Sequence, residues 1–430
     1  MINKIKVVFF NVAKKGFFHL LSANLVLQFA GFSSQFFIAG FLSSTDLGRI
    51  KIMQSIIQLM VVVAGIGLNS SVLKLCSEGR GEKDVNSIYF SGLIITFFST
   101  LVFYLVLLEF AFYGAISSDD IINKVMCIFG LAIIPIALNN YHTSYYQALK
   151  KIKEIAKIQV TTKIITLIAI VLCTYYFYLF GFIFATLIGF VLTSTYFLLL
   201  SKKSFFCGYN NLRSIKALIN YAKEHVYYAK YSTFANVSGQ FSIVADIIFI
   251  NYLVEDRSSI GQYAFALTLV LLLDLLLSTI QQISAPYFSS KENDRLAFLS
   301  SFKKYQNYLY IIVCLLPIIV FILFSYMVPH LFSGKYSLAL QLLPILLLAW
   351  CLRALFALKG VAFWGGGFVR VSSLLGVVNM VISIPLLYIG AHNGIFGVAF
   401  AKFLATLIAY TTVSVTFYFT YYKSNLDHAN

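Results

Sequence analysis

Charged residues are scarce in this sequence. Asp, Glu, Lys and Arg make up 11% of its 430 residues, whereas a soluble domain carries roughly 25% because its surface faces water. The six cysteines lie far apart, without a CxxC pair. The lack of charge excludes a water-soluble fold. The cysteine spacing excludes a disulfide framework and a structural zinc site, so we interpret the cysteines as small apolar fillers.

The sequence also lacks the motifs of common catalytic sites. It contains no phosphate-binding loop, HExxH motif, nucleophile elbow or dinucleotide fingerprint, and Gly365–Gly367 is not followed by the Lys-Ser/Thr of a phosphate loop. We therefore assign no catalytic residue, no metal site and no bound cofactor. A primary ATP-driven pump is excluded unless another subunit supplies the motor. Despite the net charge of +16, no long hydrophilic stretch exists to form a nucleic-acid-binding face.

Apolar residues dominate instead, at 60% of the chain with a mean hydropathy of +0.85. A helix needs about 20 mostly apolar residues to cross the hydrocarbon core. Segments that meet this requirement are 20–42, 52–73, 88–113, 122–146, 159–179, 182–200, 230–253, 259–284, 306–328, 337–358, 371–390 and 395–421. The pattern predicts an all-α integral membrane protein with about twelve transmembrane helices. Only the short segment LFGF around Gly181 separates span five from span six.

The distribution of Lys and Arg predicts the topology. With twelve spans, loops on the side of the termini hold 22 of these residues. Loops on the opposite side hold five, namely Arg49, Lys51, Lys124, Arg257 and Lys335. Since Lys and Arg collect in cytoplasmic loops, both termini are expected in the cytoplasm. The loops on the other side are all short.

Two short motifs recur about half a chain apart. The turn motif around Gly48 resembles that around Gly261, and the Phe-Gly-x-x-Phe-Ala motif at Gly181 returns at Gly397. These matches predict two pseudo-symmetric six-helix bundles, a design common in secondary transporters, with the substrate path in a central cavity. The predicted division is residues 1–200 for the first bundle, 201–229 for a cytoplasmic linker and 230–430 for the second bundle.

Several of these segments together resemble a known family. They are LSSTDLGRIKIMQS and Gly65-Ile-Gly67-Leu-Asn-Ser-Ser in the first half, TSYYQALKKIKEIAK at the end of span four, and Asp246, Ile-Gly261-Gln-Tyr-Ala-Phe-Ala and Ala285-Pro286 in the second half. The chain resembles Wzx-type O-antigen flippases of the MOP exporter superfamily. The resemblance implies flipping of an undecaprenyl-diphosphate-linked oligosaccharide from the cytoplasmic to the periplasmic leaflet of a bacterial inner membrane, with a pair of bundles around a central, often cationic, cavity. We expect this transport to proceed by alternating access.

Polar residues recur along one face of the first span of each half. The sets are Asn24, Gln28, Gly31 and Gln35 in span one, and Ser232, Asn236, Gly239 and Asp246 in span seven. The i, i+4, i+7 spacing puts each set on one helical face. The two interpretations are the lining of a cavity and interhelical hydrogen bonding within a bundle. Gln28, Gln35, Asn236 and Asp246 are candidate substrate-path residues, and Asp246 is placed near the periplasmic end, within reach of solvent.

Ionisable residues inside later spans complete the candidate path. Asp274 is either a cavity residue or the partner of a buried base. Arg353 is the strongest candidate for binding phosphate oxygens. Lys402 is expected to pair with an acid or to bind an acidic sugar. Lys359 is expected to snorkel towards the cytoplasmic surface, and His142 to be a hydrogen-bonded packing residue.

The predicted partners are a polyprenyl-diphosphate-linked oligosaccharide and the lipid bilayer, with a polysaccharide polymerase and a chain-length regulator as further candidates and no nucleic acid. Coupling to protons or sodium ions is left open, with Asp246 and Asp274 as the titratable candidates.

A cation-coupled multidrug exporter is the first alternative function, and it would favour acids in the cavity. A membrane polymerase or glycosyltransferase is the second, and it would need a large periplasmic loop.

Overall fold

A computed structural model describes residues 29, 31–212, 214–289, 291 and 294–422, and the regular elements within these ranges are all helical. We number the helices α1 to α14. They are α1 (31–41), α2 (Ser44–Ala64), α3 (Leu68–Ser77), α4 (Glu82–Phe112), α5 (Asp120–Phe129), α6 (Ile133–Ala148), α7 (Ile152–Leu200), α8 (Lys202–Asn211), α9 (Ile215–Leu253), α10 (Arg257–Ser289), α11 (Arg295–Phe332), α12 (Ser337–Gly365), α13 (Val369–His392) and α14 (Gly394–Tyr421). The prediction of an all-α fold is confirmed.

Ten helical segments in the described part of the chain are long and apolar enough to cross a membrane. α5 and α6 form one of them, and α7 accounts for another. The first predicted span, 20–42, is described only at residue 29 and from residue 31 onward, so Gln28 lies outside the described residues. The other predicted spans each correspond to one of these segments, except that α7 contains spans five and six. The protein is therefore a multi-pass membrane protein.

α7 is a helical hairpin rather than one straight helix of 49 residues. Tyr178 has non-helical backbone angles of φ 50° and ψ −129°. A Cβ atom on Gly181 would lie 2.0 Å from the carbonyl oxygen of Cys173, and one on Gly189 would lie 2.3 Å from the side chain of Thr166. At about 1.5 Å per residue, positions 166 and 189 of a straight helix would be about 35 Å apart. The division between spans five and six therefore falls beside Gly181, as predicted.

Span two differs from its predicted limits of 52–73. α2 begins eight residues earlier, at Ser44, because the Ser43 hydroxyl accepts a 3.0 Å hydrogen bond from the backbone N–H of Asp46 and so caps the new helix. The apolar run is then broken after Ala64 by two left-handed residues, Ile66 and Gly67, with φ 43° and 64°. α3 restarts in a new direction at Leu68. Hydropathy alone could not detect this break because the residues around it are apolar.

The chain divides by its contacts into two compact units. Unit one contains Met53–Gln240 and the described residues before Gln35, and unit two contains Gln35–Ile52 and the described residues from Phe241 onward. The segment 201–229, expected to be a linker, is largely helical in α8 and the first part of α9 and packs within unit one. A Cβ atom on Gly208 of α8 would lie 2.4 Å from the carbonyl oxygen of Asn86.

Unit one is held together on one side by the start of α9. His225 is fully buried, with its Nδ1 2.9 Å from the Ser71 hydroxyl and its Nε2 2.9 Å from the carbonyl oxygen of Ile88. Because a carbonyl only accepts, Nε2 carries a proton. Burial lowers the pKa of His225, so the ring is neutral. Its Nδ1 therefore accepts a hydrogen bond from the Ser71 hydroxyl. This arrangement joins α9 to α3 and α4.

Unit two brings together the two turn motifs that the sequence suggested as a repeat. A Cβ atom on Gly48 would lie 2.9 Å from the backbone nitrogen of Gly261, and one on Gly261 would lie 1.6 Å from the carbonyl oxygen of Ser44. The Ser44 and Ser258 hydroxyls are 2.8 Å apart. The starts of α2 and α10 thus cross at backbone distance, which only glycine permits here.

The second repeated motif also occurs where two helices approach closely. Gly181 lies next to the first arm of α7, and Gly397 lies next to α13, where a Cβ atom would be 2.2 Å from the carbonyl oxygen of Gly390. In both halves of the sequence the glycine of Phe-Gly-x-x-Phe-Ala therefore follows the turn of a helical hairpin. The shared motif has a shared packing role.

We predict that Gly261→Ala lowers the thermal unfolding temperature of the purified protein, because the added methyl group overlaps the Ser44 backbone. Overpacking of this kind costs about 1–3 kcal/mol. Gly376→Ala is the matched control, since a Cβ atom on Gly376 meets nothing within 4 Å, and it should leave the unfolding temperature unchanged or slightly raised. Equal behaviour of the two variants would contradict the close crossing of α2 and α10.

Candidate functional site

Unit one contains a polar, uncharged cavity of about 240 Å³. Residues from α2, α4, α6 and α9, together with the α2–α3 break and the start of α3, line it. The lining residues are Val61, Val62, Gly65, Gly67, Leu68, Asn69, Thr96, Ala137, Asn140, Tyr141, Asn236 and Gln240. Four of these are side-chain carboxamides and none is ionised at neutral pH. The cavity therefore offers hydrogen bonds without a net charge.

Each of the four carboxamides has at least one polar group that makes no hydrogen bond to the described protein. Within the part of the chain that the structure describes, the side chains of Asn140 and Asn236 make no hydrogen bond to protein. Asn69 accepts a 2.9 Å bond from the backbone N–H of Ser70, which leaves its NH₂ group available. The amide of Gln240 donates to Gln58 at 3.3 Å, which leaves the Gln240 oxygen available.

The break between α2 and α3 positions the floor of the cavity. A Cβ atom on Gly67 would lie 2.6 Å from both the Ala229 carbonyl oxygen and the Ser232 hydroxyl of α9. The left-handed turn at Gly67 thus lets α9 approach and directs Asn69 into the cavity. This geometry explains the glycines of the Gly65-Ile-Gly67-Leu-Asn segment.

Asp246 of unit two is the centre of a buried charge cluster. Its Oδ2 accepts hydrogen bonds from the Lys402 ammonium and, at 2.7 Å, from the Tyr263 hydroxyl. Lys51 interacts electrostatically with both Asp246 and Lys402. The Asp246 side chain is only 2% exposed, so the expectation of a solvated carboxylate is wrong. Its Oδ1 is buried and has no hydrogen-bond partner among the described residues.

Asp274 forms a second ion pair in unit two, with Arg353. Asp274 Oδ1 also accepts a 2.7 Å hydrogen bond from the indole N–H of Trp350. The side chains of Asp274 and Arg353 are 28% and 36% exposed, so this pair is much more open than Asp246–Lys402. Of the two interpretations of Asp274, partnership with a base is the one that the geometry supports.

Two further polar residues of unit two lie between helices. The Lys359 ammonium contacts the Ser414 hydroxyl and lies 4.6 Å from the centre of the Tyr410 ring. Lys359 is only 7% exposed, so the expectation that it snorkels is wrong. Gln35 accepts a 3.1 Å hydrogen bond from the Thr268 hydroxyl. This bond agrees with interhelical hydrogen bonding, the second of the two interpretations of the polar face.

His142 in unit one packs among aromatic rings. Its ring centre lies 5.7 Å from that of Phe197 and 5.8 Å from that of Tyr89. Both ring nitrogens are buried without a hydrogen-bond partner among the described residues. His142 is therefore a packing residue, as expected, but the expected hydrogen bonding is absent from this part of the structure.

The structure separates the candidate residues into different sites. Asp246 and Lys402 share one cluster, and Asp274 and Arg353 share another. Asn236 lines the cavity of unit one. Sequence reasoning missed Asn69, Asn140 and Gln240 because their helices are distant in the sequence.

Sequence reasoning also assigned Lys51 to a loop. The cap formed by Ser43 and Asp46 was the signal that could have placed Lys51 two turns into a helix. Among the described residues, no three His, Cys, Asp or Glu side chains lie together in a way that could hold a metal ion.

Comparisons with known proteins identify the family. A family model described as "Polysaccharide biosynthesis protein" matches residues 13–292, well over half of the chain. The chain belongs to this family. A search of curated protein sequences finds no significant match.

Solved structures of MOP transporters share the fold of this family member. The lipid II flippase MurJ in an inward closed conformation matches with a TM-score of 0.73 and 16% identity over 92% of this chain and 87% of that chain. An inward-facing multidrug resistance MATE transporter matches with a TM-score of 0.72 and 12% identity, covering 93% and 98%. A MOP superfamily transporter from Pyrococcus furiosus matches with a TM-score of 0.61 and 11% identity, covering 94% and 96%. At these identities the likeness shows the fold alone.

We predict that Lys402→Met destabilises the protein more than the double variant Asp246→Asn/Lys402→Met. The single change leaves a buried carboxylate without its base, which costs about 3–5 kcal/mol, whereas the double change removes both charges. Thermal unfolding in detergent measures the difference. Lys303→Met, at an exposed position of the same unit, is the control and should behave as wild type. A double variant no more stable than Lys402→Met would contradict a stabilising pair.

Proposed function

We propose that this protein flips a polyprenyl-diphosphate-linked oligosaccharide, such as an O-antigen repeat unit, from the cytoplasmic to the periplasmic leaflet by alternating access. Membership of the polysaccharide biosynthesis family supports a lipid-linked saccharide as the substrate. The fold shared with a flippase and with exporters supports transport rather than catalysis. The inner membrane of a bacterium, with both termini in the cytoplasm, is the proposed location.

The observation that carries the proposal is the excess of bases inside unit two. The helices of this unit contain two interior acids, Asp246 and Asp274. They contain four interior bases, namely Lys51, Arg353, Lys359 and Lys402. A base left over after pairing attracts phosphate oxygens and repels a cationic drug. This balance favours a diphosphate substrate over the multidrug alternative, which would favour acids.

Arg353 is the proposed contact for the diphosphate. It is the more exposed partner of its ion pair, and its planar guanidinium can bind two phosphate oxygens at once. Trp350 donates to Asp274 independently of Arg353, so Asp274 keeps one partner when Arg353 turns to a ligand. Lys402, by contrast, already forms an ion pair with the buried Asp246.

Asp246 and Asp274 are the proposed carboxylates for coupling to a proton or a sodium ion. One buried oxygen of Asp246 has no hydrogen-bond partner in the described part of the chain, and the pairing of Asp246 with Lys402 depends on its being charged. Protonation of Asp246 would release the Lys402 ammonium. A polysaccharide polymerase and a chain-length regulator remain proposed protein partners.

We predict that deletion of the gene abolishes surface polysaccharide and leaves the lipid-linked repeat unit in the cytoplasmic leaflet. The host must retain its glycosyltransferases and polymerase. The position of the glycolipid is measured with an impermeant reagent or a lectin applied to intact spheroplasts. Accumulation in the periplasmic leaflet would point to a polymerase instead and overturn the proposal.

We predict that Arg353→Ala reduces complementation at least tenfold at normal membrane abundance, and that Arg353→Lys restores part of it. Arg370→Ala, at an exposed position, is the control for loss of one arginine. The double variant Asp274→Asn/Arg353→Gln separates two roles, because it removes the ion pair without leaving an unpaired charge. Recovery of activity in this double variant would show that Arg353 is structural and would remove it from the substrate path.

A further inference from the structure

We propose that the uncharged cavity of unit one is a binding site for one neutral sugar ring of the transported saccharide. This inference rests on the proposed function and makes it more specific. It assigns to unit one a ligand of a definite chemical class, a hydroxyl-rich ring without phosphate, carboxylate or ammonium groups.

The hydrogen-bonding groups of the cavity match those of a sugar. A sugar hydroxyl both donates and accepts, and a carboxamide offers two N–H donors and a carbonyl acceptor. Asn140 and Asn236 have no hydrogen bond to the described protein, while the available Asn69 amide adds donors and the available Gln240 oxygen adds an acceptor. The cavity can therefore satisfy several hydroxyls of one ring from three helices.

The two hydroxyl protons of the wall are already used. The Thr96 hydroxyl donates to the carbonyl oxygen of Gly92 at 2.8 Å, and the Tyr141 hydroxyl donates to that of Tyr89 at 2.9 Å. Neither donor is available to a ligand. Recognition therefore falls to the carboxamides, which are concentrated on α6, α9 and the start of α3.

The absence of ionised residues from the lining selects against charged ligands. A phosphate, a uronate or a drug cation would give up hydration where it touches the wall of the cavity and would meet no opposite charge there. A neutral sugar loses only hydrogen bonds to water, and the carboxamides replace these. The apolar side chains of Val61, Val62 and Leu68 offer surface for the C–H face of the ring.

The size of the cavity limits what it can hold. Its volume of about 240 Å³ is roughly eight times the 30 Å³ that a water molecule occupies in the liquid. This is enough for about one ring, and because Asn140 in the wall is exposed, the rest of a longer saccharide would extend out of the cavity. The site would thus recognise one sugar of the repeat unit.

The cavity is also held in shape before a ligand binds. The left-handed Gly67 fixes the direction of α3, and α9 lies too close to Gly67 for any side chain there. The Ser71–His225 and His225–Ile88 hydrogen bonds fix the first part of α9. Such pre-organisation lowers the entropic cost of binding.

The test is saccharide binding by the purified full-length protein. The probe is the repeat-unit oligosaccharide of the source strain, released from its polyprenyl carrier by mild acid and freed of phosphate. Thermal unfolding is followed against probe concentration. The wild-type protein should show a saturable rise in unfolding temperature. No rise at any concentration would overturn the inference.

Two leucine variants locate the binding. Asn140→Leu and Asn236→Leu preserve approximate size and remove the carboxamide, so each should weaken apparent affinity about tenfold, the effect of roughly one lost hydrogen bond. Asn210→Leu, at an exposed position of unit one outside the cavity, should bind as wild type. Asn140 is itself exposed, so Asn140→Leu is expected to fold even if the Asn236 variant does not. Wild-type affinity in a folded Asn140→Leu variant would contradict the assignment.

An anionic probe tests the selectivity. A uronic-acid tetrasaccharide should produce no shift in unfolding temperature, and a shift equal to that of the neutral probe would overturn the claim of neutrality. Complementation then separates the two proposals. Loss of saccharide binding in a variant that still exports polysaccharide would overturn the cavity site alone. Saturable binding by a protein that cannot support export would overturn the flippase function alone.

Discussion

The cost of placing a charge in hydrocarbon governs the arrangement of this protein. An ionised side chain inside the bilayer needs a partner or water, and Asp246 and Asp274 each have a base beside them. Asp246 adds a tyrosine hydroxyl and Asp274 adds an indole N–H as neutral donors. These partners come from helices far apart in the sequence, so the pairs hold unit two together as well as neutralising its acids.

The two units use different polar chemistry. Unit one lines its cavity with carboxamides and hydroxyls, which cost less to bury than ions and keep their hydrogen-bonding capacity. Unit two concentrates bases around two carboxylates. A lipid-linked saccharide also has two chemically distinct parts, a neutral or mixed sugar chain and an anionic diphosphate. The proposed functions of the two sites follow this division.

Glycine contacts set the positions of the helices that carry these sites. The Gly48–Gly261 crossing brings α2 and α10 to backbone distance, which puts Lys51 within electrostatic reach of Asp246 and Lys402. Gly67 brings α9 against the α2–α3 break and so closes one side of the cavity. A methyl group at either position would overlap atoms of the facing helix, so the helices could not keep their present spacing.

The sequence by itself determined the membrane class, the helical fold and the division of α7 at Gly181, because hydropathy and turn glycines act locally. It also identified Asp246, Asp274, Arg353 and Lys402, since ionisable residues stand out in apolar segments. Only the tertiary structure decided which acid pairs with which base, that Asp246 is buried, and that Asn69, Asn140 and Asn236 share one cavity. Those facts depend on contacts between residues up to about 170 positions apart, and the hydrophobic pattern of one helix contains no information about which face of another helix it meets.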